Sequence, residues 1–491
     1  MTKTTKLTMM LSALAACTCL VTMGGSAARA DTTDDLLDIM KRKGEISDAK
    51  YRDLKAKHEA EKAGPAAGSY KDGGGEVVTA LPKGVGVRIG QVDVKLSGDI
   101  SFFAIQDSIK RNAVGIDGGL LTAGKFNDSS SIRAGLLPSS IQVGLSTTQN
   151  GYDVGAFFGA YVGGNNISDG QANGVGLPQA LNTSGIDFRQ VYGTIGTKTG
   201  GTVKFGRDIG IFGADAILND ATIFGSGTPA PNNFAPNNTT LGRIGVGYIY
   251  TDFIPQISYT TPDWNGFTAT VGLFTPYNEV GVDGASVTGH DAPMVQGRLK
   301  YTGAFGGGGC GYKDMDCNSP GKFTMWTSGL FQNHQVENGD FNGFLPASGT
   351  SIEAWAVDGG VRVDWGGFSL VGYGYTGEGV GTTGLFIGGL SANGDTRSSD
   401  GGYIQGSYTF WDRLTVGASY GVSNLDRNAF DRANGFALNL KKFTESEIGF
   451  VKYKLTSWVA LQAEYIHSDE ESHSGNRNRD DAVAIGTTFF W

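Results

Sequence analysis

The sequence predicts an all-β fold: a transmembrane antiparallel β-barrel of 16 strands behind a short N-terminal periplasmic helical segment. Three observations lead there. From about residue 87 onward, apolar residues alternate with polar or small ones at a period of two. Short turns alternate with long loops between the strands. The chain also stops on an aromatic strand, Ala484-Ile485-Gly486-Thr487-Thr488-Phe489-Phe490-Trp491. Counting back in twos from Trp491 gives Phe489, Thr487, Ile485 and Val483, mostly apolar, while the intervening positions are mostly small or polar. A closed barrel needs its last strand to pair with its first, because no edge survives inside a membrane.

The first element is an export signal. Lys3 and Lys6 precede an apolar run from Leu7 to Met23, and Ala28-Arg29-Ala30 is a cleavage pattern that ends residues 1–30. Leu14-Ala15-Ala16-Cys17 is a competing lipidation pattern. After Ala30 no apolar stretch approaches the ~18 residues of a membrane helix. Without residues 1–30 the chain carries 36 bases and 48 acids, a net charge of −12, which excludes a general nucleic-acid binder. Glycine supplies 78 of the 491 residues, well above the typical ~7%. This suits strands whose polar face borders water and not a packed core.

Residues 33–62 are charged and poor in glycine. Thr33 caps a first helix carrying Leu36, Leu37, Ile39 and Met40; Gly44 stops it, and Ser47 caps a second. Residues 31–64 therefore read as a periplasmic helical hairpin or coiled segment, and 65–86 as a Gly-rich linker. The barrel follows over 87–491. Its candidate strands are 91–107, 132–148, 152–163, 185–197, 201–207, 242–262, 267–276, 293–305, 322–335, 351–365, 367–378, 399–411, 413–424, 443–455, 458–467 and 480–491. Pro255 is a candidate bend in the sixth. Strand-end aromatics such as Trp365, Tyr408, Phe410, Trp411, Tyr453 and Trp458 suit interfacial girdles. Cys310 and Cys317, with six residues between them in a connection that ought to be short, suit a disulfide-closed loop; two free thiols are the other reading.

The longest loop, 208–241, contains Asp208, Asp215 and Asp220 and no Lys or Arg. Alternation points Lys204, Arg298, Lys300 and Arg362 into the lumen, and Arg189 shares parity with Asp187. An acidic loop folded into a basic-walled lumen makes a transverse field that sets charge preference. The alternative is an external loop with three solvated carboxylates. The mature charge of −12 and the acidic loop lean toward weak cation preference.

Several of these stretches resemble the general, diffusion-type porins of Gram-negative outer membranes. The resemblance lies in Phe188-Arg189-Gln190-Val191-Tyr192-Gly193-Thr194-Ile195-Gly196, in Gly201-Thr202-Val203-Lys204-Phe205-Gly206-Arg207, in Tyr259-Thr260-Thr261-Pro262-Asp263-Trp264-Asn265-Gly266-Phe267, and in the terminal strand. It implies a water-filled channel for passive diffusion of ions and small hydrophilic solutes. It also implies a homotrimer, outer-membrane lipid and lipopolysaccharide as surroundings, and a third external loop folded inward as an eyelet. Phe489 and Trp491 would be the signal read by the barrel-assembly machinery. Three features depart from the family. Trp491 stands where it usually has Phe, the loop offers Ala221-Thr222-Ile223-Phe224-Gly225 in place of Pro-Glu-Phe-Gly, and 33–62 looks like the N-terminal segment of phosphate-selective porins.

Other function classes leave weaker traces. The mature chain has five His, and none lies in a nucleophile or zinc motif, so no enzyme activity, metal or cofactor is expected. His467 and His473 flank an acidic run that suits an exposed loop better than a cation site. Gly372-Tyr373-Gly374-Tyr375-Thr376-Gly377 matches a dinucleotide pattern but lies inside a strand with no helix after it. A phosphate- or anion-selective porin is one alternative. The barrel sheath of an electron-conduit complex is another, although the chain has no Cys-x-x-Cys-His of its own.

Overall fold

The computed structural model describes Tyr51, Lys55 and residues 78–81, 84–111, 115–121, 128–162, 186–229, 239–279, 289–306, 321–336 and 344–491. The expected signal peptide, the helical segment apart from Tyr51 and Lys55, and Cys310 and Cys317 lie outside the described residues. The first strands are β1 (Val78–Ala80), β2 (Val85–Ile89), β3 (Val92–Arg111), β4 (Ser129–Arg133), β5 (Ser139–Gln149), β6 (Tyr152–Val162), β7 (Ile186–Thr197), β8 (Gly201–Ile209), β9 (Phe253–Thr260) and β10 (Phe267–Phe274). They continue as β11 (Met294–Phe305), β12 (Gly321–Gln335), β13 (Ser351–Trp365), β14 (Phe368–Glu378), β15 (Ser398–Phe410), β16 (Leu414–Leu425), β17 (Lys441–Lys454), β18 (Val459–Ser472) and β19 (Arg477–Phe490). Two short helices sit in loops, α1 (Ala214–Leu218) and α2 (Ala429–Asn434).

From β5 to β19 each strand pairs antiparallel with the next, and β19 returns to β3, from Asn478↔Arg111 to Phe490↔Asp99. β4 pairs with the upper half of β3 and β5 with the lower half, so together they fill one wall position. The result is a closed barrel of 16 positions, as the sequence predicts. Trp491 completes the seam by a reciprocal backbone pair with Gly98, at 3.2 and 3.3 Å. Its indole lies against Gly98, where a side chain would have no room.

Three elements differ from their expected limits. The strand expected at 132–148 is broken at 134–138, because Leu136 N and Leu137 N donate into the lumen, to Gly225 O and Ile223 O, at 3.1 and 3.2 Å. The strand expected at 242–262 begins only at Phe253. Gly242, Gly245 and Gly247 take positive φ there, which ends the alternation and leaves 242–252 in the preceding loop. Part of the expected linker is paired: β1 and β2 form a hairpin on the lower end of β3, Val85↔Leu96 to Ile89↔Val92.

Many outward positions are apolar and bare, as at Phe205, Ile257, Val271, Leu299, Val361 and Ile485. Such a band is stable against hydrocarbon and not against water. Two-residue turns close one end. Asn150-Gly151 and Gly366-Gly367 have positive φ at both positions, the geometry that matches strand twist. At the other end α2 is capped by Asn428, whose side chain accepts from Asp431 N at 2.9 Å. The fully buried Arg397–Asp431 ion pair, at 2.7 Å, ties the α2 loop to the loop after β14.

Candidate pore constriction

The connection between β8 and β9 is the long loop, residues 210–252. Its composition decides where it goes. Ile211, Phe212, Ile217, Phe224, Ile244 and Tyr248 are apolar or aromatic and would lie in water on an external loop; here all are buried. They pack on lumen-facing Trp326, Leu330, Tyr373 and Tyr403. Burying each such side chain contributes roughly 1.5–3 kcal/mol.

Polar groups of the wall take up the loop's backbone hydrogen bonds along its path, as buried amides require. Gln296 Oε1 on β11 accepts from Ile211 N and Phe212 N at 2.6 and 2.9 Å. Asp358 Oδ2 on β13 accepts from Gly213 N at 2.9 Å. On β15, the Tyr403 hydroxyl donates to Ala216 O at 2.7 Å, and Gln405 brackets the next turn, donating to Asn219 O and accepting from Ala221 N at 2.8 and 2.6 Å. Glu464 Oε2 on β18 accepts from Ser226 N and Gly227 N at 3.1 and 2.7 Å. The loop tip then meets the break between β4 and β5. On the return Arg243, fully buried, donates to Ser419 Oγ and Ser446 Oγ at 2.6 and 3.1 Å. Gly210 N to Asp252 O, at 2.9 Å, closes the neck. The loop thus crosses the lumen and lies on the β11–β19 half of the wall.

The charges meet as follows. Asp215, in the first turn of α1, accepts from Arg298 Nη1 at 2.9 Å and Lys300 Nζ at 2.6 Å, and is 3% exposed. Burial pushes its carboxyl up, but Arg298 and Lys300 outweigh that and hold it below the usual carboxylate range. Asp208 lies at the end of β8, not in the loop; it binds Lys204 and accepts from Gln190 Nε2 at 2.8 Å. Asp220 is buried within the loop, accepting from Thr222 N and the Tyr248 hydroxyl at 2.8 and 2.7 Å. Arg362 pairs with Asp364 at 2.7 Å and donates to Asn219 Oδ1 at 3.1 Å.

A model of the Gram-negative porin family matches residues 78–474. The chain belongs to the Gram-negative porin family. Among solved structures, this porin is similar to the outer-membrane channel DcaP of Acinetobacter baumannii at 15% identity, covering 82% of this chain and 97% of that one, with a TM-score of 0.56. It is also similar to an anion-selective porin from Comamonas acidovorans at 13% identity, covering 82% and 100%, with a TM-score of 0.50. At those identities the likeness is one of fold. Comparison with curated proteins gives no match.

The porin brings Asp215, Arg298 and Lys300 together as one cluster, with Arg362 on the next stretch of loop. It does not bring Asp220 to the basic wall, and it buries Arg189 instead of leaving it open to the pore. Arg189 is buried, its guanidinium 4.6 Å from the Tyr161 ring centroid and paired with Asp187 at 3.0 Å. A bulge causes this: two residues of β7 oppose one of β6 between Gly159 and Tyr161, so simple parity fails at Arg189. Two residues escaped the sequence reading. Lys452 on β17 donates to Ala221 O of the loop, and its inward parity, between outward Val451 and Tyr453, was open to the same alternation argument. Arg243 was hidden inside a stretch that reads as strand.

Proposed function

We propose that this porin is a passive diffusion channel whose narrowest part is framed by loop 210–252 and the bases facing it, and that it prefers anions weakly. The observation carrying this is that the carboxylates at the constriction are neutralised while the bases stay partly open. Arg298 and Lys300 are 23% and 31% exposed around an Asp215 that is 3% exposed, and Lys204 is 29% exposed beside an Asp208 at 5%. Two bases share one acid in the first cluster, and Lys452 donates to the Ala221 carbonyl within reach of the buried Glu464 carboxylate. Hydroxyls continue the wall toward Arg298, with Thr260 and Thr270 3.1 Å apart. This reading opposes the cation lean drawn from total charge, because charge at the narrowest point governs an ion more than charge outside it.

The homotrimer, the lipopolysaccharide surroundings, the reading of Phe489 and Trp491 by the assembly machinery and a periplasmic N-terminal segment belong to the same proposal. So do a Cys310–Cys317 disulfide and the absence of catalysis. The loop inside the lumen occupies space that a sheathed electron carrier would need, which favours diffusion over that alternative. The test is planar-bilayer recording across a potassium chloride gradient. The expected reversal potential has the sign of chloride preference, and Lys300→Glu moves it toward potassium. A wild-type potential of potassium sign would overturn the preference, and silent membranes with inserted protein would overturn the channel. Strong block by phosphate would point to a phosphate-selective pore.

A further inference from the structure

We propose that two aromatic residues seated on two glycines across the closing seam, with the β1–β2 hairpin as a stop beneath them, set the register in which this barrel closes. Trp491 on Gly98 is the outer seat, and Phe103 on Gly486 is the inner one. The register matters beyond the seam. For a given strand number it fixes strand tilt and barrel radius, and with them how the bases of β11 meet the long loop.

Alternation cannot choose this register by itself. A slip of one residue moves every side chain of a strand to the other face, but a slip of two returns each to its own face. Between β19 and β3 a slip of two would bring Trp491 opposite Leu96 or Ile100 in place of Gly98. The outward positions at the start of β3 run Val92, Val94, Leu96, Gly98, Ile100 and Phe102, so Gly98 is the one place in that row without a side chain. The Trp491 indole lies over it, where a Cβ on Gly98 would collide with the six-membered ring. The inner face mirrors this arrangement. Phe103, 1% exposed, stands opposite Gly486 in the register, and its ring takes the space that a Cβ on Gly486 would need. A slip of two would set Phe103 against Ala484 or Thr488 instead. Each side of the seam thus carries a glycine and, five residues later, an aromatic: Gly98 and Phe103 on β3, Gly486 and Trp491 at the end of β19. In an antiparallel pair, that equal spacing lets both aromatics seat together in one register only.

The hairpin adds a stop on one side. β5 pairs with one edge of β3 over Asp93–Asp99, and β19 pairs with the other edge from Asp99 upward. β2 lies on that second edge directly below, from Val85↔Leu96 to Ile89↔Val92. Trp491 fills the step between β2 and β19 through its reciprocal backbone pair with Gly98. Arg88 pins β2 in place: it stands opposite Asp93 and donates to both carboxylate oxygens, at 2.5 and 2.8 Å. A two-residue turn at Gly90-Gln91, with Gly90 at positive φ, joins β2 to β3. A downward slip of β19 would drive Trp491 into the place of Val85, whereas an upward slip meets no such block.

The test is disulfide trapping of the seam in the full chain assembled in outer membranes, with Cys310→Ser and Cys317→Ser throughout. Ile485 stands opposite Ala104. I485C with A104C therefore traps the observed register, I485C with Q106C an upward slip of two, and I485C with F102C a downward one. Heat-modifiable mobility identifies the folded fraction, and trapping is scored on that fraction alone, so the readout needs no current and stands apart from the channel reading. With the native seats, the A104C pair is expected to trap at least tenfold more than either other pair. Exchanging side chains within each face of β3, as G98I with I100G and F103I with I105F, moves both seats up by two at constant composition. The Q106C pair is then expected to dominate. W491A with F103A adds no bulk and leaves nothing to seat, which keeps the test open if the exchanged variant does not fold. It is expected to trap with A104C and Q106C alike and not with F102C, until V87P unpairs β2 and lets the F102C pair form. A W491A/F103A seam that traps with A104C alone would overturn the proposal, and so would an exchanged variant that folds and keeps the native pair. Trapping with F102C while β2 is intact would overturn the hairpin's part in it.

Discussion

Asp215 is the residue on which the constriction turns, since one buried carboxylate holds two bases to the loop. Replacing it with Asn leaves Arg298 and Lys300 without a counter-charge. The expected result is stronger chloride preference in reversal-potential measurements, together with noisier open-channel current as the loop loosens. The pH dependence has a definite sign. A carboxyl held below its usual value contributes fully above that value and loses its ion pairs as pH falls through the lowered one. The contribution of Asp215 to conductance is therefore expected to stay constant at and above the usual carboxylate range and to be lost only below it. An acid transition that persists unchanged in Asp215→Asn would count against Asp215 as the anchor. At this scale Lys204, Arg298, Lys300 and Arg362 were legible from alternation alone. Arg189 was not, because one bulge shifts parity and a single sequence carries no sign of it.

At the scale of elements, the long loop behaves as an inner layer of the barrel. Its fit is tightest at the gap between β4 and β5, where a side chain on Gly135 would collide with the Gly225 carbonyl. Gly135→Val is expected to push the loop tip off the wall while the strands stay paired. Single-channel recording would then show a larger or less steady unit conductance, and an unchanged trace would mean that the tip does not frame the pore. Phe212→Asp acts at the root of the loop. A fully buried ring becomes an unpaired charge, which costs several kcal/mol, and the expected outcome is loop release seen as protease cleavage within 210–252 of otherwise folded protein. The start of β9 was misread for a related reason. Ile244, Val246 and Tyr248 alternate like a strand, but Gly242, Gly245 and Gly247 turn the backbone, which bonds to itself, to Thr228 and Thr383 of loops and to the Ser423 hydroxyl, and not to another strand.

For the whole molecule, closure is the property that matters, and it comes down to thirteen register pairs between β19 and β3 plus the backbone clasp of Trp491 on Gly98. Deleting Trp491 is expected to lower the heat-modifiable folded fraction in outer membranes while leaving the unit conductance of inserted barrels unchanged. A conductance change at normal yield would place Trp491 in the pore instead. The sequence by itself determined the strand class, the number of wall positions, the closing role of the last strand and the inward side of most bases. Those depend on local alternation and turn chemistry, which a linear pattern carries. Only the tertiary structure decided that the loop lies inside, and that Asp215 meets Arg298 and Lys300 while Asp220 meets Tyr248. Each of these is a meeting of residues far apart in the chain, set by register and by where an apolar loop escapes water, and no spacing along the sequence encodes it.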